Sequence, residues 1–209
     1  MGEDPRRFAP AAARNREPIL DVLRRVLPAR GKALEIASGS GEHVVFFAQA
    51  LPDFAWRPSD PDPDARASIA AWIAHEGLTN IAPPLDIDVR ADAWGVEDEA
   101  PFDAIVSLNM VHIAPWASAL GLMRGAARLA APGSILFLYG PFKKDGAHTA
   151  PSNEAFDASL KARDPQWGVR DMEEIARAAE GEGFALDEIA PMPANNFSLV
   201  FKFARATIR

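Results

Sequence analysis

The sequence predicts an α/β protein built on a doubly wound, mainly parallel sheet that closes in an antiparallel hairpin. Three observations predict it. From Ala33 to Gly140 short apolar runs alternate with segments of helical period, the order that gives parallel strands covered by helices on both faces. A glycine-rich turn, Ala37 to Gly41, joins the first run to the helix after it. The last two apolar runs have no helix between them, which implies antiparallel pairing. Right-handed crossovers then leave the doubly wound topology.

The elements follow in order. Ile19, Leu20, Leu23, Val26 and Leu27 share one face of a helix over roughly 15–27, closed by Pro28 and Gly31. A strand over 33–37 leads through small residues into a helix over about 42–51. A second strand, 54–58, runs into Asp60-Pro61-Asp62-Pro63, which turns the chain into a helix over 65–75. A third strand is expected within 80–89, although Pro83 and Pro84 interrupt it. Residues 102–108 form a fourth strand, 116–129 a helix and 133–140 a fifth strand. Residues 142–166 are polar and irregular and read as a long surface excursion. Asp171 can cap a helix reaching about Glu182, with Glu174 at the capping-box position and Gly183 as its stop. Residues 184–189 and 197–203 are the last strands, joined by a Pro-rich turn over 191–196.

Bulk properties narrow the function. The 209 residues suffice for one α/β core and fall short of two, so 1–209 reads as a single domain. Hydrophobic residues make up 48% and charged residues 24%, the balance of a globular chain. The net charge of -7 argues against a nucleic-acid partner, because neutralising phosphates takes clustered cations. No apolar run approaches the ~20 residues that span a bilayer, so no membrane partner is expected. The first ten residues are polar and hold no signal core. Cysteine is absent, which removes disulfides, thiolate nucleophiles and Cys-ligated zinc and fits a reducing cytoplasm.

The most informative segment is Leu34-Glu35-Ile36-Ala37-Ser38-Gly39-Ser40-Gly41-Glu42-His43. Gly39 and Gly41 let the backbone turn sharply and approach a ligand. The helix that follows offers free N–H groups and a positive dipole end to an anionic group. Val44 stands where a dinucleotide fingerprint has its third glycine, and no Gly-Lys-Ser/Thr occurs. A tight turn with incidental glycines is the competing reading. Asp60 follows the second strand by about 20 residues from the turn, where an acid meets ribose hydroxyls in doubly wound folds; a turn or capping role competes. Asp88, with Asp86 as its rival, can accept a hydrogen bond from an adenine amino group. Asn109 and Met110 end the fourth strand. Acids and amides at the carboxyl ends of successive strands describe one crevice.

At these residues the sequence resembles the class I S-adenosylmethionine-dependent methyltransferases. Glu35 fills the acid position of that family's first motif, Ala37 replaces its first glycine, and Gly39 and Gly41 keep the others. The resemblance implies a Rossmann-like sheet of seven strands with the last inserted antiparallel. It implies S-adenosyl-L-methionine as cofactor, with Ala37, Ser38, Gly39 and Gly41 around the methionine part and Asp60 on ribose. Asp88 and Val89 would lie against adenine, and Asn109 and Met110 would flank the methionine moiety. Across nearly the whole chain a closer resemblance is to the methyltransferase-like protein 26 family, a domain of unknown function. It rests on Ala11-Ala12-Ala13-Arg14-Asn15-Arg16-Glu17-Pro18-Ile19-Leu20, Ser152-Asn153, Phe156-Asp157, Trp167-Gly168-Val169-Arg170-Asp171 and Met192-Pro193-Ala194-Asn195-Asn196. Ala13 departs from it, standing where relatives are expected to carry an acid.

Methyl transfer needs mainly proximity and alignment, and a base only where the nucleophile arrives protonated. His112, three residues past Asn109, is the base candidate; a histidine packed or solvated at a strand end is the competing reading. Tyr139 ends the fifth strand and reads as core packing. Arg14 and Asn15 open an N-terminal helix or lid region over 1–30, either folding over the cofactor carboxylate or, for Asn15, capping the helix. Asn195 and Asn196 suit a hairpin turn. Trp167, Arg170 and Asp171 can line a substrate pocket. The four histidines show no ligand spacing, and no nucleophile elbow occurs. The expected function is methyl transfer to an unidentified, small-molecule acceptor. A cofactor-binding protein without transfer and a nicotinamide-dependent oxidoreductase are the alternatives, the latter disfavoured by the missing third glycine.

Overall fold

In the computed structural model, which describes residues 4–204, the chain first runs extended and then enters a helix at Pro10. The ends of the expected domain, residues 1–3 and 205–209, lie outside the described residues. Helix α1 spans Pro10–Val26, five residues longer at its start than the apolar pattern indicates. Pro10 sits in the first turn, where a missing N–H costs nothing. Pro18 lies inside the helix and leaves the Arg14 carbonyl without its helical partner. Strand β1 (Gly31–Ile36), helix α2 (Glu42–Ala50), strand β2 (Phe54–Pro58) and helix α3 (Pro63–Glu76) follow. Asp62 caps α3 by accepting the Asp64 N–H at 3.0 Å, and Gly77 ends it in the left-handed region.

The expected third strand does not form, so the described sheet has six strands rather than seven. Its segment nevertheless runs beside β2. Trp56 N–H donates to Asn80 O and Ala82 N–H to Trp56 O; Leu85 N–H donates to Pro58 O and Asp60 N–H to Leu85 O. These are two isolated parallel bridges, Trp56 with Ile81 and Ser59 with Leu85. Between them Pro58, Pro83 and Pro84 supply no N–H, so the ladder cannot continue.

Strand β3 (Phe102–Leu108), helix α4 (Trp116–Leu129) and strand β4 (Ala130–Gly140) complete the parallel part. The surface excursion expected over 142–166 instead contains helix α5 (Pro151–Arg163). Helix α6 (Met172–Gly181) is capped by Asp171, whose side chain accepts the N–H groups of Glu173 and Glu174. Strands β5 (Phe184–Met192) and β6 (Asn196–Phe203) form the terminal hairpin. The sheet order is β2-β1-β3-β4-β6-β5, with β6 antiparallel to both neighbours.

Two cores cover the two faces. Ile19, Leu20 and Leu23 of α1 and Val44 and Phe47 of α2 pack on Ala33, Trp56, Phe137 and Tyr139. Leu122 and Met123 of α4 and Ile175 of α6 pack on Leu34, Ile36, Ile105 and Leu138. The alternation of side chains along β1 and β4 therefore assigns each residue to one helical layer. The carboxyl ends of β1, β3 and β4 emerge together, because Ile36 pairs with Ser107 and Leu108 with Tyr139.

Candidate functional site

The chain leaves β1 at Ile36 and must reverse before α2 starts at Glu42. Ala37, Gly39 and Gly41 take left-handed angles, with φ of 57°, 59° and 91°. Glycine does so freely, whereas Ala37 carries strain of about 1–3 kcal/mol. Gly41 is also fixed by packing, since a Cβ there would lie 2.9 Å from Ile69 Cα. A Cβ on Gly39 would meet nothing within 4 Å, so the turn is open above this residue. Hydrogen bonds lace it elsewhere. Ser38 N–H donates to Ser59 O at 2.8 Å, Ser68 Oγ to Ser40 O at 2.7 Å, and Ser40 Oγ to Glu42 Oε2 at 3.0 Å.

Asp60 is buried beside the turn. Its Oδ2 accepts the Gly39 N–H at 3.0 Å and its Oδ1 the Asp62 N–H at 2.9 Å. It thus sets the shape of the glycine turn from the end of β2. A cavity of about 210 Å³ opens on the other side of the turn, lined by Ile36, Ala37, Ile87, Asp88, Val89 and Met110 among others. Its walls are mainly apolar, and Asp88 stands at its rim with its carboxylate held by Arg90 at 2.7 Å. Arg90 keeps the Asp88 pKa below the usual carboxylate range. Asp86 is turned away: its side chain is 67% exposed and pairs with Arg66 at 3.2 Å.

Glu35 is only 1% exposed, and its Oε2 has no hydrogen-bond partner. Burial pushes its pKa up to about 7; a hydrogen bond with Ser38 opposes this and the Asp60 charge adds to it. Asn109 takes φ 63° and starts a short 3-10 turn, Met110–His112, which brings Met110 to the cavity.

His112 is placed in the core rather than at the cavity. It is fully buried, its Nδ1 accepts the Arg170 N–H at 3.1 Å, and its ring packs edge-on against Phe142 at 4.6 Å. A Cβ on Gly140 would lie 2.2 Å from its Nε2, so Gly140 closes the remaining side. Burial and the Arg170 charge push its pKa down to about 3. This corrects the expectation of a general base: the ring is neutral and sealed, and no acceptor can reach it.

The N-terminal residues cover the other end of the turn. Arg7 N–H donates to Ser68 Oγ, and Ala9 N–H donates to Glu42 Oε2. Asn15 does not cap α1, which begins five residues earlier; its Oδ1 lies 2.7 Å from His43 Nε2. Arg14 is exposed and makes no hydrogen bond among the described residues. Arg170 is a strut: its guanidinium donates to the carbonyls of Val111, Ala114 and Gln166. Trp167 lies under Arg163, and Asp171 caps α6. Asn195 takes φ 57°, as a tight turn demands.

Two groups were not singled out from the sequence. Tyr139 and His43 meet Asn15 at the glycine turn, a convergence that needs the strand order to be seen. Asp157 is buried on α5, where it accepts the Val169 N–H at 2.8 Å and Lys161 at 2.7 Å, with His148 at 3.2 Å. Burial alone would raise its pKa, but Lys161, the Val169 N–H and the Lys143 charge outweigh it and hold it low. Among the described residues no group of three or more His, Cys, Asp or Glu could hold a metal ion, and no helix is long and apolar enough to cross a membrane.

Residues 6–203 match the family described as "Protein of unknown function (DUF938)". A tRNA (guanine-N(7)-)-methyltransferase of Erythrobacter litoralis is 32% identical over 82 residues, 39% of this chain and 33% of that protein. The chain thus spans about a third of that relative's length. Among solved structures, an O-methyltransferase family protein from Burkholderia thailandensis superposes with a TM-score of 0.78 at 17% identity, over 93% of this chain and 57% of that one. The S-adenosylmethionine-dependent methyltransferase SibL gives 0.76 at 19%, over 93% of this chain and 56% of that one. These likenesses show a Rossmann-like methyltransferase fold.

Proposed function

The chain belongs to the family described as "Protein of unknown function (DUF938)", and we propose that it is an S-adenosylmethionine-dependent methyltransferase acting on a small-molecule acceptor. One observation carries the reading. An apolar cavity of about 210 Å³, with an acid at its rim, adjoins a glycine turn that is open above Gly39. A flat purine fits between Ile87, Val89 and Met110, where Asp88 can accept from an amino group. A ribose beside Pro61 meets Asp60, whose carboxylate oxygens each retain a lone pair. The open turn and the start of α2 suit an amino-acid chain. The orphaned Glu35 oxygen suits an ammonium. The residues present therefore fit the cofactor.

When bound, S-adenosylmethionine supplies an electrophilic methyl group on sulfur. The chain's own part is to hold and align: Asp60 and Asp88 fix one end, the glycine turn the other. Proximity of this kind supplies much of a bimolecular barrier. No base faces the cavity, since His112 is sealed in the core. That observation favours an acceptor already deprotonated or activated in solution. It equally supports a second reading, a protein that binds the cofactor or S-adenosylhomocysteine without transfer. The closer resemblance to the methyltransferase-like protein 26 family belongs to the same reading. So do a cytoplasmic location and the exclusion of nucleic-acid and membrane partners, supported by the net charge of -7 and the lack of cysteine.

Calorimetric titration tests the cofactor. S-adenosylmethionine is expected to bind and NAD is not; no binding of the former at millimolar concentration overturns the proposal. Gly39→Val, which forces a β-branched residue into a left-handed angle at the open turn, is expected to lower affinity at least tenfold. Labelled methyl transferred to a component of cell extract, lost in that variant, separates transfer from binding alone.

A further inference from the structure

Three polar side chains from three elements meet beside the glycine turn, and the reading above gives them no part as a set. Asn15 comes from α1, His43 from the first turn of α2, and Tyr139 from the carboxyl end of β4. His43 Nε2 lies 2.7 Å from Asn15 Oδ1. Burial and the nearby Arg16 charge push the His43 pKa down to about 4, so the ring is neutral and its Nε2–H is the donor. With its oxygen engaged, the Asn15 amide N–H is the group that meets the Tyr139 hydroxyl; burial raises the Tyr139 pKa and this interaction lowers it. The chain of donors therefore has one direction, from His43 through Asn15 to the Tyr139 oxygen. It leaves one proton over. Among the described residues the Tyr139 O–H donates to nothing, although the residue is only 3% exposed.

The neighbours make the surplus more pointed. Tyr139 pairs in register with Leu108, and its carbonyl accepts the Asn109 N–H at 2.8 Å, so it sits on the row of strand ends that carries Asn109 and Met110. Across β6 it pairs with Ser198, whose buried Oγ also lacks a partner. On β1, Glu35 shares the face of Ala33, the face on which α1, α2 and Tyr139 pack. Its Oε2 is the second orphan there. Buried polar groups without partners are uncommon and destabilising. Here a hydroxyl donor and a carboxylate acceptor stand unmatched on one face of one edge. An α-amino acid group, with its carboxylate and its ammonium, has the complementary pair.

We propose that Tyr139, positioned by Asn15 and His43, donates its hydroxyl proton to the carboxylate of the amino-acid end of the bound cofactor. The inference rests on the cofactor reading above and names residues for the end of the ligand farthest from Asp88. Asn15 and His43 are positioning residues. Tyr139 is the contact.

The experiment compares two probes that share the adenosine half. S-adenosylhomocysteine carries the amino-acid end; 5′-methylthioadenosine lacks it. Each is titrated calorimetrically into the full chain and into Tyr139→Phe, which keeps the packed ring and removes the hydroxyl. S-adenosylhomocysteine affinity is expected to fall about tenfold to a hundredfold, the worth of one hydrogen bond to a charged group. Affinity for 5′-methylthioadenosine is expected to stay within twofold. Asn15→Ala is expected to act the same way, and to add little when combined with Tyr139→Phe. Unchanged S-adenosylhomocysteine binding in Tyr139→Phe overturns the inference and leaves the cofactor reading standing, as does an equal loss for both probes. If the unaltered chain binds neither probe, the cofactor reading itself falls and takes this inference with it.

Discussion

Burial holds the Glu35 carboxyl up to about 7, so between pH 4.5 and 7 the folded chain keeps a proton that the unfolded chain gives up. Stability contributed by this group therefore falls as pH rises through that window, by up to about 3 kcal/mol. Glu35→Gln is expected to remove the fall; urea midpoints measured from pH 5 to 8 should then decline less in the variant than in the parent. The buried histidines work the other way. His43 and His112, pushed down to about 4 and about 3, stay neutral where the unfolded chain takes up protons. Their contribution is present above pH 6.5 and is lost as pH falls through the folded values. At this scale the sequence was partly readable. Glu35, Gly39, Asp60 and Asp88 stand out because a turn and two strand ends are local features. His112 misled because its ring is closed off by Gly140 and Phe142, partners from another strand and the segment beyond it, which no spacing reveals.

Element by element, periodicity succeeded where the buried stripe is apolar. The face of α1 carrying Ile19, Leu20 and Leu23 was legible, whereas its start at Pro10 was not, since the first turns bury only Ala12. Helix α5 was invisible for a sharper reason: its buried positions are Asn153, Asp157 and Leu160, the right helical spacing filled mostly by polar residues. What holds it is chemistry, not oil. Asn153 Nδ2 donates to Asn195 O at 2.8 Å, and Asp157 gathers Lys161 and the Val169 N–H. Asp157→Asn is expected to destabilise the protein by about 2 kcal/mol, because it leaves buried or half-buried cationic partners unmatched. Hydrogen exchange should show the loss first in residues 151–163; unchanged protection there would mean that the ion cluster does not anchor the helix. The third strand was half legible for the converse reason. Its apolar residues point correctly, but three prolines withhold the N–H groups that would make it a ladder.

For the molecule as a whole, the alternation of segments predicted the parallel sheet and its hairpin, while the insertion of β6 between β4 and β5 depended on contacts far apart in the chain. A ligand held across β1, β3 and β4 ties both helical layers to one sheet, so binding should stabilise the fold globally. S-adenosylhomocysteine at a hundredfold excess over its dissociation constant is expected to add about 2.7 kcal/mol, or roughly 5–10 °C in melting temperature, and NAD nothing. A differential scan with equal shifts for both would point to a different ligand class. The two outer rims of the sheet carry a consequence of another kind. At one, the proline-broken ribbon 80–85 covers β2 and cannot itself offer a continuous row of donors. At the other, β5 is irregular between Leu186 and Glu188, and Asp187 and Glu188 are tied to Lys202 and Arg25. Neither rim is a template on which a second chain can extend the sheet. The hydrogen bonds that the prolines give up along 80–85 are thus what keeps a crowded solution of this protein from growing into fibres.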